Sequence, residues 1–133
     1  MTDFVPMPTT TALYAGILGL MSIVIGVLVG RMRGGENAVS IGDGGRHDVL
    51  VAMRRHSNFV EWTPMAVILI GLLEMNKVPT NTIHIFGCIL VVARACHAIG
   101  MQADGSKAIF RGIGAGGTTL LTAVLSVWAI TLY

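Results

Sequence analysis

Charge is what this chain has least of: 12% of its 133 residues are Asp, Glu, Lys or Arg, about half the share of an ordinary soluble domain. Two stretches, 4–30 and 112–133, have none. Each is long enough to cross a hydrocarbon core of about 30 Å as a helix. With hydrophobic residues at 53%, these gaps in charge point to an integral membrane protein of one domain. The net charge of +2 is too small for a nucleic-acid partner. Only Asp3 precedes the first apolar stretch, and Arg31 and Arg33 follow it. That order predicts a retained first span instead of a cleaved signal.

Missing motifs narrow the chemistry further. Neither HExxH nor a paired-cysteine motif occurs, which argues against a metal site. Cys88 and Cys96, in one apolar run, would lie about 12 Å apart along a helix, beyond disulfide reach. They are expected as small buried hydrophobes. The GDGG at 42–45 lacks the Lys-Ser/Thr ending of a phosphate loop and reads as a linker. Ser57 points about 100° around a helix from His56, so the pair forms no serine–histidine dyad. His47 is expected as a solvated helix-start residue and His84 as an interfacial one. A small four-helix multidrug exporter needs a carboxylate in its first helix, and 4–30 has none.

What is present is four apolar segments, at roughly 9–30, 46–76, 80–101 and 107–133, separated by GGENAVSIGDGG, NKVPTN and QADGS. In lipid, runs of this length and composition are helices. The expected fold is an all-α, four-transmembrane-helix bundle. Four crossings put both termini on one side with Lys77. The opposite loops carry Arg31, Arg33, Arg46, Lys107 and Arg111, which places that end in the cytoplasm by the positive-inside rule. Among 17 glycines are Gly26-x-x-x-Gly30 and Gly112-x-x-x-Gly116, a spacing that allows close helix packing within a subunit or between subunits.

The exception to apolarity is "RRHSNFVEWTP" at 54–64. As a helix, the second segment is about 46 Å long, more than a bilayer core requires, so its arginine end should reach the cytoplasmic interface. Glu61 lies about 22 Å from Asn76, and Arg94 about 22 Å from Pro79. An antiparallel hairpin would then set Glu61 opposite Arg94 and Asn58 opposite His97. Arg54, Asn58 and Glu61 share one helix face, and Arg94, His97 and Met101 repeat the pattern. Charges inside a membrane are costly and face the bundle interior. A structural ion pair between Glu61 and Arg94 is one reading. Arg54, Arg55, His56, Asn58, His97 and Arg111 cluster at the same end, however, and one carboxylate cannot satisfy so many donors. The excess points to a receptor for an anionic molecule.

The run Arg54-x-His56-x-Asn58-x-x-Glu61-x-x-Pro64, followed by an apolar helix, resembles the second-helix motif of the MAPEG family (membrane-associated proteins in eicosanoid and glutathione metabolism). Arg94-x-x-His97 resembles the third-helix Arg-x-x-Tyr/His of its leukotriene and prostaglandin E synthases. The four-helix layout extends the likeness over nearly the whole chain, and the GDGG loop and short length resemble the small bacterial branch. The resemblance implies a homotrimer in the bacterial inner membrane, with glutathione as co-substrate bound between subunits near the cytosolic face. It implies a glutathione transferase acting on lipophilic electrophiles from the bilayer, a detoxification role, with glutathione peroxidase activity as a further expectation.

By motif position Arg54, Asn58 and Glu61 would hold glutathione's carboxylates and amino group. His56 would reach the glutathione of the adjacent subunit. Arg94 and His97 would line the same pocket, and Arg31 would add a contact from the neighbour. Arg111 matches the arginine that stabilises the glutathione thiolate, the catalytic role, with Lys107 its competitor. Trp62 and Met101 stand where the leukotriene synthase has tyrosines, so Trp62 would line the glutathione site without a hydroxyl. Some relatives bind lipids or partner proteins without catalysis, and a non-enzymatic lipid-binding or scaffold protein of the same fold is the alternative.

Overall fold

The computed structural model describes residues 6–105 and 107–133. Asp3 and Phe4, used above to judge the first segment, lie outside them, as does Ser106 of the QADGS link. Among the described residues the chain forms four helices and no strands: α1 Thr9–Arg33, α2 His47–Met75, α3 Thr80–Gly100 and α4 Ala108–Thr131. All four are long and apolar enough to cross a membrane. α1 runs past residue 30, so Arg31 and Arg33 form its last turn. Cations there complement the negative end of the helix dipole.

The connections explain where the helices stop. Between α1 and α2, Gly42, Gly44 and Gly45 have φ of 77°, 60° and 76°, a left-handed backbone that glycine adopts without a Cβ penalty. α2 then starts at His47, and the carboxylate of Asp48 in its first turn pairs with Arg46 at 2.9 Å. Lys77 takes φ 64° in the turn before α3, and Pro79 precedes the first helical residue, a position where its missing N–H costs nothing.

α2 and α3 form the middle of the bundle. α1 and α4 each pack on both of them, but α1 and α4 do not touch each other. The core is the α2 face of Phe59, Ala66, Ile70 and Leu73, met by Leu18 and Ile25 of α1, Ile83 and Leu90 of α3, and Leu121 and Leu125 of α4. Opposite faces are apolar and exposed, as at Leu20, Ile23, Ile68, Val92, Leu120 and Val127, which is the composition a lipid-facing surface needs.

Two devices tie the helices together. A Cβ at Gly114 would lie 2.5 Å from the Ala93 carbonyl oxygen of α3, and one at Gly100 would lie 2.7 Å from Phe110 backbone. Only glycine permits that approach of α3 and α4. By contrast Gly30, Gly112 and Gly116 face open space, and Gly26 meets only the His56 ring. Within one chain, therefore, the GxxxG pairs are not the packing seam. At the other end, Glu74 receives the backbone N–H groups of Thr10 at 2.9 Å and Thr11 at 2.7 Å, and the Thr11 hydroxyl at 2.6 Å. A carboxylate from α2 thus caps the open first turn of α1.

Candidate functional site

The apolar residues of α2 decide where its polar ones point. With Phe59 centred on the core, Glu61 lies about 160° around the helix, facing away from it. Arg54 is on the same outward side, and both are exposed. Asn58 sits on the flank, half-buried, beside the exposed Trp62. The spacing of Arg54, Asn58 and Glu61 does define one face, but that face points out of the single chain.

Arg94 is the most enclosed charge, 1% exposed on α3. Its Nη1 donates to Asn58 Oδ1 at 3.0 Å and to the Asn58 carbonyl at 3.4 Å, and its Nη2 donates to the Gly114 carbonyl at 3.4 Å. The expected pairing of Arg94 with Glu61, and of Asn58 with His97, is corrected by these bonds. Equal depth placed Glu61 and Arg94 on one level, but α2 turns Asn58 toward α3. A charged donor in apolar surroundings needs acceptors, and a side-chain amide with two carbonyls supplies them. The Arg94 Nε has no hydrogen-bond partner among the described residues.

Asn58, Trp62, Arg94, Ala115 and Thr119 line a narrow cleft of about 80 Å³ between α2, α3 and α4. His97, one turn beyond Arg94, is buried where Gly114 packs against its backbone. Arg111 is in the first turn of α4, and its backbone abuts Gly100. Gly114, which accepts from Arg94 and packs on His97, lies one turn after Arg111. Asn58, Trp62, Arg94, His97 and Arg111 therefore gather on the α2–α3–α4 side.

The remaining candidates lie elsewhere. The His56 ring lies against Gly26 on the α1 side of α2. Arg31 is exposed at the end of α1, the helix that never meets α4. Lys107 precedes α4 and is exposed. The side chains of Arg54, Glu61 and Arg111 make no hydrogen bond or ion pair among the described residues.

Two further arginines join this end. Arg33 donates to the Met53 sulfur at 3.3 Å, and Arg55 donates to the Met101 carbonyl just past α3. Each leaves a buried Nε without an acceptor among the described residues. The density of arginine was visible in the sequence, but which guanidinium nitrogens remain unmatched depends on tertiary packing.

The MAPEG family profile matches residues 11–131, all four helices together. The chain belongs to the MAPEG family. It is similar to the inner membrane protein YecN of Escherichia coli strain K12, at 36% identity over 92 residues, which cover 69% of this chain and 70% of that protein. YecN of Escherichia coli O6:H1 strain CFT073 matches with the same figures. No solved structure matches the chain significantly. As a MAPEG protein it is a membrane protein, and no group of three or more potential metal-ligating His, Cys, Asp or Glu side chains occurs among the described residues.

Proposed function

We propose that this MAPEG chain is a glutathione transferase whose site is completed between subunits of a homotrimer, with its arginine-rich end in the cytoplasm of a bacterial inner membrane. One observation carries the reading: Glu61 in the span and Arg54 toward its cytoplasmic end face outward, without side-chain partners among the described residues, next to the cleft lined by Arg94. Leaving such groups against lipid is expensive. A second chain carrying an anionic ligand removes that cost. α1 and α4 sit on opposite edges of one chain, so Arg31 and His56 on the α1 side can join Arg54, Glu61 and Arg111 only across a subunit boundary.

The chemistry fits the ligand. Glutathione brings two carboxylates, an ammonium and a thiol. Guanidinium groups at Arg54 and Arg94 bind carboxylate in charge-assisted hydrogen bonds, and Glu61 meets the ammonium. Asn58, Trp62 and His97 complete the walls. Arg111 favours the thiolate over the thiol, and the thiolate is the nucleophile. With an aryl chloride, sulfur attacks the carbon bearing chlorine, the C–S bond forms and chloride leaves with its electron pair. The thiol proton goes to water. An apolar groove of about 330 Å³ between α1 and α2, lined by Leu18, Phe59, Pro64 and Val67, suits a lipophilic second substrate. With a hydroperoxide the same thiolate would serve peroxidase chemistry.

Titrating glutathione into the detergent-purified protein by calorimetry, followed by turnover with chlorodinitrobenzene, tests the reading. Saturable heat and conjugate formation support it. Binding without turnover returns the chain to a non-catalytic binder of the same fold, and absence of both removes glutathione.

A further inference from the structure

A second cluster of reactive side chains lies away from the arginines and has no part in the glutathione site. Tyr14 of α1 is almost buried, and its hydroxyl lies 2.9 Å from His84 Nδ1 and 3.2 Å from Cys88 Sγ, both on α3. His84 and Cys88 are one helical turn apart and so share a face. Gly87 makes the arrangement possible, because a Cβ there would run into the Tyr14 ring. The ring also packs edge-on to His84, with centroids 5.7 Å apart. The hydroxyl is therefore held between an imidazole and a thiol by packing that leaves little freedom.

The thiol also opens on a groove. Cys88 is exposed and stands with Ile89, Val92, Cys96, Ile113 and Gly117 around an apolar groove of about 330 Å³ between α3 and α4. Eight residues into α3, it lies about 12 Å from the helix start, within the hydrocarbon. His84 is about 6 Å from that start, near the interface, where water reaches it.

We propose that Cys88 is a modification site for membrane-borne α,β-unsaturated carbonyls with an alkyl tail, activated by His84 through Tyr14. The Tyr14 O–H donates to His84 Nδ1, and the Cys88 S–H donates to the Tyr14 oxygen. Two proton shifts along this line leave a thiolate hydrogen-bonded by Tyr14 and a protonated imidazole. Sulfur attacks the β-carbon, the C–S bond forms, and the C=C pair moves to give an enolate. The proton held on His84 then returns to the α-carbon. The adduct contains every atom of both reactants, so no other reagent is needed. The groove holds the tail, which a water-soluble electrophile lacks.

The full chain in phosphatidylcholine vesicles would be treated with trans-2-nonenal, and adducts at Cys88 and Cys96 followed by peptide mass spectrometry. Cys88 should gain one nonenal, and Tyr14→Phe, which keeps the ring against Gly87, should slow that labelling roughly tenfold or more. His84→Asn should slow it similarly, while the Cys96 rate, a readout of the intact groove, stays unchanged. The proposal is overturned if Cys88 remains unlabelled, if Tyr14→Phe labels it as fast as the parent, or if both cysteines slow together.

Discussion

The guanidinium of Arg94 donates to Asn58 Oδ1 at 3.0 Å, joining α3 to α2 where the helices are otherwise apolar. Arg94 is shielded from solvent, so this amide is part of what makes a buried cation tolerable. Asn58→Leu should cost about 1.5–3 kcal/mol, the range for a lost hydrogen bond to a charged group. Adding Arg94→Met should recover part of the loss, because the charge leaves with its acceptor. Thermal unfolding in detergent of both single variants and the double variant gives the coupling. Additive losses would mean that the bond contributes nothing to stability.

Glu61 faces outward, so its carboxylate stabilises nothing within one chain. Glu61→Gln should leave the midpoint of unfolding nearly unchanged while weakening glutathione binding roughly tenfold or more, the loss of one charge-assisted contact. Calorimetry and size-exclusion chromatography separate the outcomes. A trimer that dissociates would make Glu61 an assembly residue instead of a ligand.

Arg111→Ser should bind glutathione nearly as well as the parent but turn over chlorodinitrobenzene roughly 10- to 100-fold more slowly, from an interaction of about 1.5–3 kcal/mol that strengthens as thiolate develops. The thiolate absorbance near ~240 nm, a property of the ionised sulfur, should fall in parallel. Lys107→Ala is the control. If Lys107→Ala is the slow variant, the role passes to Lys107.

Glycines give a test of packing against assembly. Gly114→Ala forces a methyl onto Ala93 and His97 backbone and should cost about 1–3 kcal/mol through overpacking. Gly116→Ala meets nothing within 4 Å and should gain up to about 1 kcal/mol from helix propensity. The bulkier Gly116→Leu, equally unopposed within one chain, should lower the trimer fraction in cross-linking if Gly116 sits at the boundary. An unchanged trimer would place Gly116 against lipid.

The helices were legible because charge-free runs leave lipid-crossing helices as the only solution, and Arg31, Pro79 and Lys107 mark where the runs end. The candidate site was legible as an excess of arginine at one end and as a shared face of Arg54, Asn58 and Glu61. Its direction was not. Polar residues in a membrane were assigned to the bundle interior, whereas the bulk of Phe59, Ala66 and Ile70 claims that side of α2 and turns Glu61 outward. Contacts such as Glu74 with Thr10 and Thr11, or Tyr14 with His84, join positions more than sixty residues apart. No local pattern announces them. Cys88, expected as a buried hydrophobe, is exposed, since α3 turns Ile83, Gly87 and Leu90 to the inside.

The hydroxyls of α4 have a mechanical consequence. Thr118, Thr122 and Ser126 each donate to the carbonyl four residues earlier in their own helix, at 2.9, 2.8 and 2.7 Å. Such bonds meet the helix's polar needs in lipid without any neighbour. Among the described residues, only Arg94, through the Gly114 carbonyl, ties α4 to another helix by a hydrogen bond. Beyond that point α4 is held by packing, with Leu121 and Leu125 in the core and Trp128 edge-on to Phe86. The helix that carries Arg111 is fixed by a hydrogen bond only near its charged end and by packing along the rest.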